Sequence, residues 1–186
     1  TLWIGTEDKG LFNYIPSTGE IKPFNHPDIY KNIHGLCLDG DDLWVGTFSG
    51  GLNRIDLRSM RVKHYSKEML TANDAFSIYK TRSGDIWIGT AGGGLDKYIE
   101  AREGTSDQFL SFTIGEGMPD NYVLGILEHG DYLWLSSENG LSRFCKNDYS
   151  VISYQFAQKA YANIFNEGAR FKCKNGIMLW GTLDGL

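Results

Sequence analysis

The stretch Leu2-Trp3-Ile4-Gly5-Thr6 sets the pattern of this chain of 186 residues. Four further copies follow it, as Leu43-Trp44-Val45-Gly46-Thr47, Ile86-Trp87-Ile88-Gly89-Thr90, Leu133-Trp134-Leu135-Ser136-Ser137 and Met178-Leu179-Trp180-Gly181-Thr182. Aligned on the fourth position of each complete copy, successive copies lie 41, 43, 47 and 45 residues apart. Repeats of about 40 to 50 residues are typical of β-propellers and of some helical arrays. Because each copy is short, rich in Trp and β-branched residues and bounded by glycine, it predicts a strand.

The flanks of the copies repeat as well. Downstream of each copy lie a Gly-Leu pair and an apolar residue, and the complete units then carry an aromatic residue: Phe24, Tyr65, Phe112 and Tyr154. Upstream, apolar segments run into the turn dipeptides Asp39-Gly40, Ser83-Gly84, His129-Gly130 and Asn175-Gly176. Gly and Asn tolerate the positive φ of tight hairpin turns. Each unit is therefore predicted to be an antiparallel blade with four strands, a to d.

The predicted fold class is all-β, a β-propeller segment of about four four-stranded antiparallel blades. The whole chain, 1–186, is treated as one propeller fragment: strands b to d over 1–26, blades over 27–68, 69–115 and 116–157, and a partial blade over 158–186. The predicted strand count exceeds that of a closed four-bladed ring, and the chain begins in mid-strand without Met. We therefore expect a segment of a larger propeller with about seven blades.

The repeated residues are expected to serve the packing of the blades. Each blade lies face to face on its neighbours, so the Trp strands are buried on both faces. Trp3, Trp44, Trp87 and Trp134 are assigned to this core. The glycine after each strand is expected to let blades approach closely, and the next Thr or Ser to bond backbone at the strand end.

Composition excludes several partners. Lys and Arg number 18 against 23 Asp and Glu, a net charge of −5 with no basic stripe, so no nucleic acid partner is expected. No run approaches the roughly 20 apolar residues that cross a bilayer, so no membrane contact by this fragment is expected either. Cys37, Cys145 and Cys173 lack metal-site spacing. Two of them could form a disulfide, but buried free thiols are the favoured interpretation.

The ordered set of an Ile-rich strand, a Gly turn, LWIGT, Gly-Leu and an aromatic residue resembles the two-component regulator propeller repeat. Nearly all of the chain takes part, and the closing stretch from Phe165 to Thr182 resembles the last blade of such an array. The resemblance implies the periplasmic sensor region of a hybrid histidine kinase, with carbohydrate breakdown products as ligands. Three features depart from the pattern: Ser136-Ser137 replaces Gly-Thr, the fifth copy shifts its Trp by one place, and the connection from Glu100 to Gln108 is longer than its equivalents.

Candidate ligand-binding residues lie in the b–c and d–a connections, which gather at one end of a propeller. Aromatic rings beside carboxyl and amide groups suit sugars, whose C–H faces stack on rings while their hydroxyls need donors and acceptors. The predicted stacking residues are Tyr30, Phe48, Tyr122 and Tyr161. The predicted hydroxyl partners are Asp28, Asn73, Asp74 and Asn121. A competing interpretation is that Asn32, Asn73 and Asn121, which recur just before strand a, only fix the turn through side-chain to backbone hydrogen bonds.

No catalytic residue, metal ligand or cofactor is predicted. His26, His34, His64 and His129 lack metal-ligand spacing, and the chain has no GxSxG sequence. Gly92-Gly93-Gly94 precedes a strand rather than a helix, which favours a b–c turn over a phosphate loop.

Three functions remain open at this stage. The preferred one is a non-enzymatic, ligand-sensing periplasmic segment of a sensor kinase anchored in the inner membrane. It binds an oligosaccharide or another small molecule, associates as a homodimer and leaves the kinase activity to the parent chain. The alternatives are a carbohydrate-active propeller lyase or hydrolase, and a non-catalytic scaffold for protein interaction or dimerisation.

Overall fold

The structure, a computed structural model, describes residues 1–155, 164–183 and 185. Over these residues the chain forms seventeen strands and one short 3-10 helix, Ile114–Glu116. The first unit contributes β1 (Leu2–Gly5), β2 (Leu11–Ile15) and β3 (Glu20–Phe24). The second contributes β4 (Ile33–Asp39), β5 (Asp42–Thr47), β6 (Leu52–Asp56) and β7 (Arg61–Tyr65). The third contributes β8 (Ala75–Lys80), β9 (Ile86–Thr90), β10 (Gly94–Ile99) and β11 (Gln108–Phe112). The fourth contributes β12 (Gly125–His129), β13 (Tyr132–Ser137), β14 (Gly140–Cys145) and β15 (Val151–Tyr154), and the fifth β16 (Phe165–Lys172) and β17 (Met178–Thr182).

Every sheet is an antiparallel meander in sequence order. The described strands form a three-stranded sheet, three four-stranded sheets and a two-stranded sheet, which we number blades 1 to 5 along the chain. The Trp strand is second in each four-stranded sheet, as the repeat predicts. The predicted all-β, propeller-type fold is confirmed.

The cores lie between blades rather than within them. One cluster joins Trp44 and Tyr65 of blade 2 to Ile78 and Ile88 of blade 3. The next joins Trp87, Leu95 and Phe112 of blade 3 to Ile126, Leu135 and Phe144 of blade 4. Because each sheet is covered on both faces, the strands β5 and β9 are buried along almost their whole length. Trp44 and Trp87 are fully buried, which confirms their assignment to packing. Trp3 and Trp134 are half-buried and pack on Phe24 and Tyr154.

The glycine after each buried Trp strand sets the distance between blades. A Cβ added at Gly46 would lie 2.5 Å from the carbonyl oxygen of Ala75, at the start of the next blade. Gly89 meets the carbonyl oxygen of Val123 in the same way. The close approach expected from the sequence is therefore present at both junctions.

The residue after that glycine closes the b–c turn. The Thr47 hydroxyl donates to the Gly51 carbonyl oxygen at 3.0 Å, and Thr90 donates to Gly94 at 3.0 Å. The same contact occurs from Thr6, Ser137 and Thr182. Ser137 thus preserves the turn in the copy that departs from Gly-Thr.

A cation faces the tryptophan from strand c in the central blades, a feature that the sequence analysis missed. Arg54 lies opposite Trp44 in the register, with its guanidinium carbon 5.5 Å from the indole centroid and an ion pair to Asp42 at 2.6 Å. Lys97 stands over Trp87 at 5.4 Å and pairs with Asp85 at 2.8 Å. The hydrogen bond to Asp42 raises the pKa of Arg54 above its usual range, so the cation is permanent.

The long connection of blade 3 ties it to blade 2. Asp107 is almost fully buried and accepts hydrogen bonds from the Tyr65 hydroxyl at 2.6 Å and the Ala101 N–H at 2.8 Å, while Lys63 pairs with it at 2.6 Å. Burial opposes ionisation, but the contacts from Lys63, Tyr65 and Ala101 outweigh it and lower the pKa of Asp107 to about 2. The extra length noted in the sequence therefore places a buried carboxylate against the preceding blade.

Two further findings concern the cysteines and the capacity to cross a membrane. Cys37, Cys145 and Cys173 are all free thiols, and burial raises the pKa of Cys37. Within the described ranges, no helix combines the length and hydropathy that a membrane crossing requires.

Gly46→Ala should destabilise the fold by about 1 to 3 kcal/mol, because the new methyl group meets backbone of the next blade. Urea unfolding measures the effect. Gly115→Ala is the control, since its Cβ would meet only the Thr113 hydroxyl, at 3.3 Å. Equal unfolding free energies for both variants would contradict the close approach.

Asp107→Asn should lower the unfolding free energy at neutral pH by about 1 to 3 kcal/mol, since the buried partners of the carboxylate lose a charged acceptor. The lowered pKa stabilises the fold above about pH 4, and this stabilisation is lost as the pH falls towards 2. The difference between wild type and variant should therefore shrink over that range in pH-dependent unfolding. Asp131→Asn, at an exposed carboxyl, should run parallel to wild type, and a gap for Asp107→Asn that is constant with pH would refute the assignment.

Candidate functional site

The first strands of blades 2 to 5 surround a common axis. β4 packs on β8, β8 on β12 and β12 on β16, so these four strands form the wall of a channel. The b–c turns and d–a loops meet at one end of this channel, which we call the loop face. Hydrogen bonds join them there, from Gly51 N–H to Asn73 O and from Gly94 N–H to Asn121 O, both at 2.7 Å. The a–b turns lie at the opposite end, which we call the turn face.

Three predicted residues, Tyr30, Phe48 and Asp74, come together at the b–c turn of blade 2. The Tyr30 ring lies against Gly50, where a Cβ would overlap it. Phe48 lies two residues before Gly50 in the same turn, and its N–H donates to Asn32 O at 3.0 Å. The carboxylate of Asp74 accepts from Ser49 N–H at 2.5 Å and holds that residue at a φ of 61°. Tyr30 and Phe48 remain 51% and 45% exposed, so both rings are open to a ligand.

Asn73 and Asn121 do in the structure what the competing interpretation predicted, whereas the side-chain oxygen of Asn32 is buried without a hydrogen-bond partner among the described residues. The side-chain oxygen of Asn73 accepts from Lys67 N–H at 2.7 Å, and that of Asn121 accepts from Ile114 N–H at 2.8 Å. Each therefore fastens the beginning of its d–a loop to its end. Their NH2 groups have no partner among the described residues and remain able to donate to a sugar hydroxyl.

The remaining predicted residues are more scattered. Asp28 lies in the loop before Tyr30, with its carboxylate 3.6 Å from His26 and half exposed. Tyr122 is 41% exposed and its backbone pairs with Ala91 at the next blade junction. Tyr161 lies outside the described residues.

The structure adds an aromatic platform that the sequence analysis missed, formed by His34, Phe48 and Phe76. The rings of His34 and Phe76 stack with centroids 4.6 Å apart and planes 10° apart. Phe48 lies 6.0 Å from His34 and 6.3 Å from Phe76. Glu167, from the first strand of blade 5, contacts the Nδ1 atom of His34. The platform therefore sits at the channel wall and joins blades 2, 3 and 5.

A β-bulge explains why these side chains are available. The pairing of β4 with β5 skips from Ile33 to Gly35, and that of β8 with β9 skips from Ala75 to Ser77. The residues passed over are His34 and Phe76, and a bulge re-aims the side chain that it carries. Their shared repeat position was a usable signal, but the sequence analysis treated strand a as packing alone.

The loop face combines apolar rings with polar groups. Exposed rings offer faces for C–H groups, and the amides of Asn73 and Asn121 and the carboxylate of Asp28 offer polar partners. No group of three or more His, Cys, Asp and Glu residues that could hold a metal ion occurs in the described part of the chain.

Comparisons with known proteins agree with the repeat. Residues 69–92 match the family model described as two component regulator propeller, which confirms the resemblance over blade 3. No curated protein matches the chain. The extracellular domain of a putative hybrid two-component system from B. thetaiotaomicron is similar in structure, with a TM-score of 0.81, 22% identity and coverage of 98% of this chain and 25% of that one.

Two other solved structures are also similar. A second extracellular domain of a putative hybrid two-component system from B. thetaiotaomicron has a TM-score of 0.76 and 22% identity, covering 97% of this chain and 23% of that one. The chain therefore spans about a quarter of the length of both extracellular domains. A catalytically inactive virginiamycin B lyase from Staphylococcus aureus, solved with quinupristin, has a TM-score of 0.66 and 14% identity, covering 96% of this chain and 64% of that one.

Asn73→Ala and Asn121→Ala should each lower the unfolding free energy by about 1 kcal/mol, because each leaves a loop N–H without its acceptor. Chemical denaturation measures this loss. Asp28→Ala removes an exposed carboxylate and should stay within about 0.5 kcal/mol of wild type. If all three variants unfold alike, the asparagines do not fix the loops.

Proposed function

We propose that this chain is a ligand-sensing segment of the extracytoplasmic propeller of a two-component sensor kinase. The family-model match over 69–92 and the likeness to extracellular domains of hybrid two-component systems support this proposal. In it the segment lies in the periplasm, and the parent chain is anchored in the inner membrane and carries the kinase activity.

The ligand that fits the loop face best is an oligosaccharide. The observation that carries this proposal is the aromatic platform beside exposed Tyr30, since flat apolar rings next to polar groups suit a sugar's two kinds of surface. Predicted partners occur at two successive b–c turns, with Tyr30 and Phe48 at the turn of blade 2 and Tyr122 at that of blade 3, so the proposed ligand has more than one sugar unit.

The segment acts in this proposal by binding, without catalysis. The side-chain oxygens of Asp74 and Asn121 are engaged in holding loops, which assigns them to positioning rather than to chemistry. Signalling then requires that the ligand favour one arrangement of a pair of ectodomains over another, because equal affinity for both would shift nothing.

Phe48→Ala and Tyr122→Ala should abolish or strongly weaken oligosaccharide binding without unfolding the protein, since both side chains are exposed. Thermal unfolding with a panel of neutral plant and microbial oligosaccharides is the measurement. A ligand at about 100 times its Kd adds about 2.7 kcal/mol of stability to wild type.

Ile152→Ala is the matched control, because this 48% exposed side chain lies on the outer strand β15. It should retain the ligand-induced shift. Cleavage of the sugar during the measurement would favour a carbohydrate-active enzyme. If no oligosaccharide raises the melting temperature of the wild type, the proposed ligand class is wrong.

A further inference from the structure

The turn face holds a cavity, at the end of the channel away from the aromatic platform. It has a volume of about 470 Å³ and is bounded by three a–b turns, those of blades 3, 4 and 5. Its lining residues are Arg82, His129, Gly130, Lys172, Cys173, Lys174, Asn175 and Gly176. None of these described lining residues is acidic, although the chain as a whole carries a net charge of −5.

Two of the cations in this cavity are free to bind. Among the described residues, neither the Arg82 guanidinium nor the Lys174 ammonium has a hydrogen-bond or ion-pair partner, and both residues are exposed. The third, Lys172, donates to the carbonyl oxygen of Glu128 and is half-buried at the inner wall. An ammonium has three donors, so Lys172 can also serve a ligand.

The cavity is built rather than formed by loose side chains. Glu128 is 3% exposed beneath it, and its carboxylate accepts from Arg82 N–H at 2.9 Å while pairing with Lys146. That contact fixes the backbone from which the Arg82 side chain extends. Lys146 pairs with Glu128, while Asp131, exposed in the turn of blade 4, has no ion pair among the described residues.

The channel above the cavity is also rich in donors. A second cavity of about 410 Å³ lies between the four first strands and is lined by Arg170 and, at its lower end, by Lys172. Arg170 is half-buried and has one hydrogen bond, to Leu124 O at 3.5 Å. Its other N–H groups lack an acceptor among the described residues, so Arg170 can donate into the channel.

We propose that the turn-face cavity binds the oxyanion of a small molecule, a carboxylate, sulfate or phosphate, through Arg82, Lys172 and Lys174. A planar guanidinium beside two ammonium groups matches the several oxygens of such an anion. The concave shape and the volume favour a molecule of one or two sugar units over an extended acidic peptide. This site stands apart from the loop face and does not depend on the oligosaccharide proposal.

Isothermal titration at constant ionic strength tests the proposal with four matched probes: glucuronic acid, glucose 6-sulfate, glucose 6-phosphate and glucose. At least one of the three anionic sugars should bind to the full chain and glucose should not, and the order of affinity distinguishes carboxylate, sulfate and phosphate as the source. If no anionic sugar binds at millimolar concentration, or if glucose binds equally well, the proposal is overturned.

The double variant R82A/K174A should weaken binding of the anionic sugar at least about tenfold, because it removes two charged donors. The matched control is R58A/K22A, which deletes one arginine and one lysine, both exposed, from blades 1 and 2. It should stay within about twofold of wild type. Equal weakening by both variants would mean that only net charge matters and would overturn the site.

Phe48→Ala separates this proposal from that of the loop face. It should leave the affinity for the anionic sugar unchanged, since Phe48 lies at the opposite end of the channel. Loss of anion binding in this variant would move the anion to the loop face and refute the turn-face site.

Discussion

The fold depends on one contact that is made at both junctions of the central blades: the Trp-bearing strands of blades 2 and 3 each pack on the first strand of the next blade. Trp44 and Trp87 lose all their exposure in this way, and Gly46 and Gly89 let the following backbone come near enough to exclude water. Burial of an aromatic side chain this large is worth several kcal/mol, which no single hydrogen bond in the structure approaches. A blade alone has no covered face, so its stability comes from its neighbours.

This constraint explains how much of the fold the sequence predicts. The packing requires the same residue types at the same place in each unit, so the repeat displays the strand order and the b–c turns, including the hydroxyl that closes them. Arg54 and Lys97 occupy the same place in their units, two residues after the leucine of the Gly-Leu pair, but their contact with the tryptophans depends on cross-strand register, which the sequence analysis did not derive. Asp107 was missed for a related reason: its partner Tyr65 lies in another blade.

The candidate site was only partly predictable, because loops obey weaker rules. Tyr30, Phe48 and Asp74 were predicted from their position in loops, and the structure brings them to the b–c turn of blade 2. His34 and Phe76 escaped because they lie in strands, where alternation normally sends side chains into the core. Only the bulge, a break in register, turns them towards the channel. Glu167 reaches His34 from 133 residues away, a distance over which a sequence pattern carries no information.

In the proposed function the site straddles blades, which links ligand binding to the arrangement of the blades. Phe48 belongs to blade 2, Phe76 to blade 3 and Glu167 to blade 5, so a ligand on the aromatic platform touches groups whose separation depends on the angle between blades. A ligand shifts an equilibrium only by its differential affinity for the two states. If every ligand contact came from one blade, binding would be insensitive to how blades are arranged. Contacts from three blades make the binding free energy a function of that arrangement. Linkage then requires that the factor by which the ligand shifts the equilibrium between two blade arrangements equal the ratio of its affinities for them.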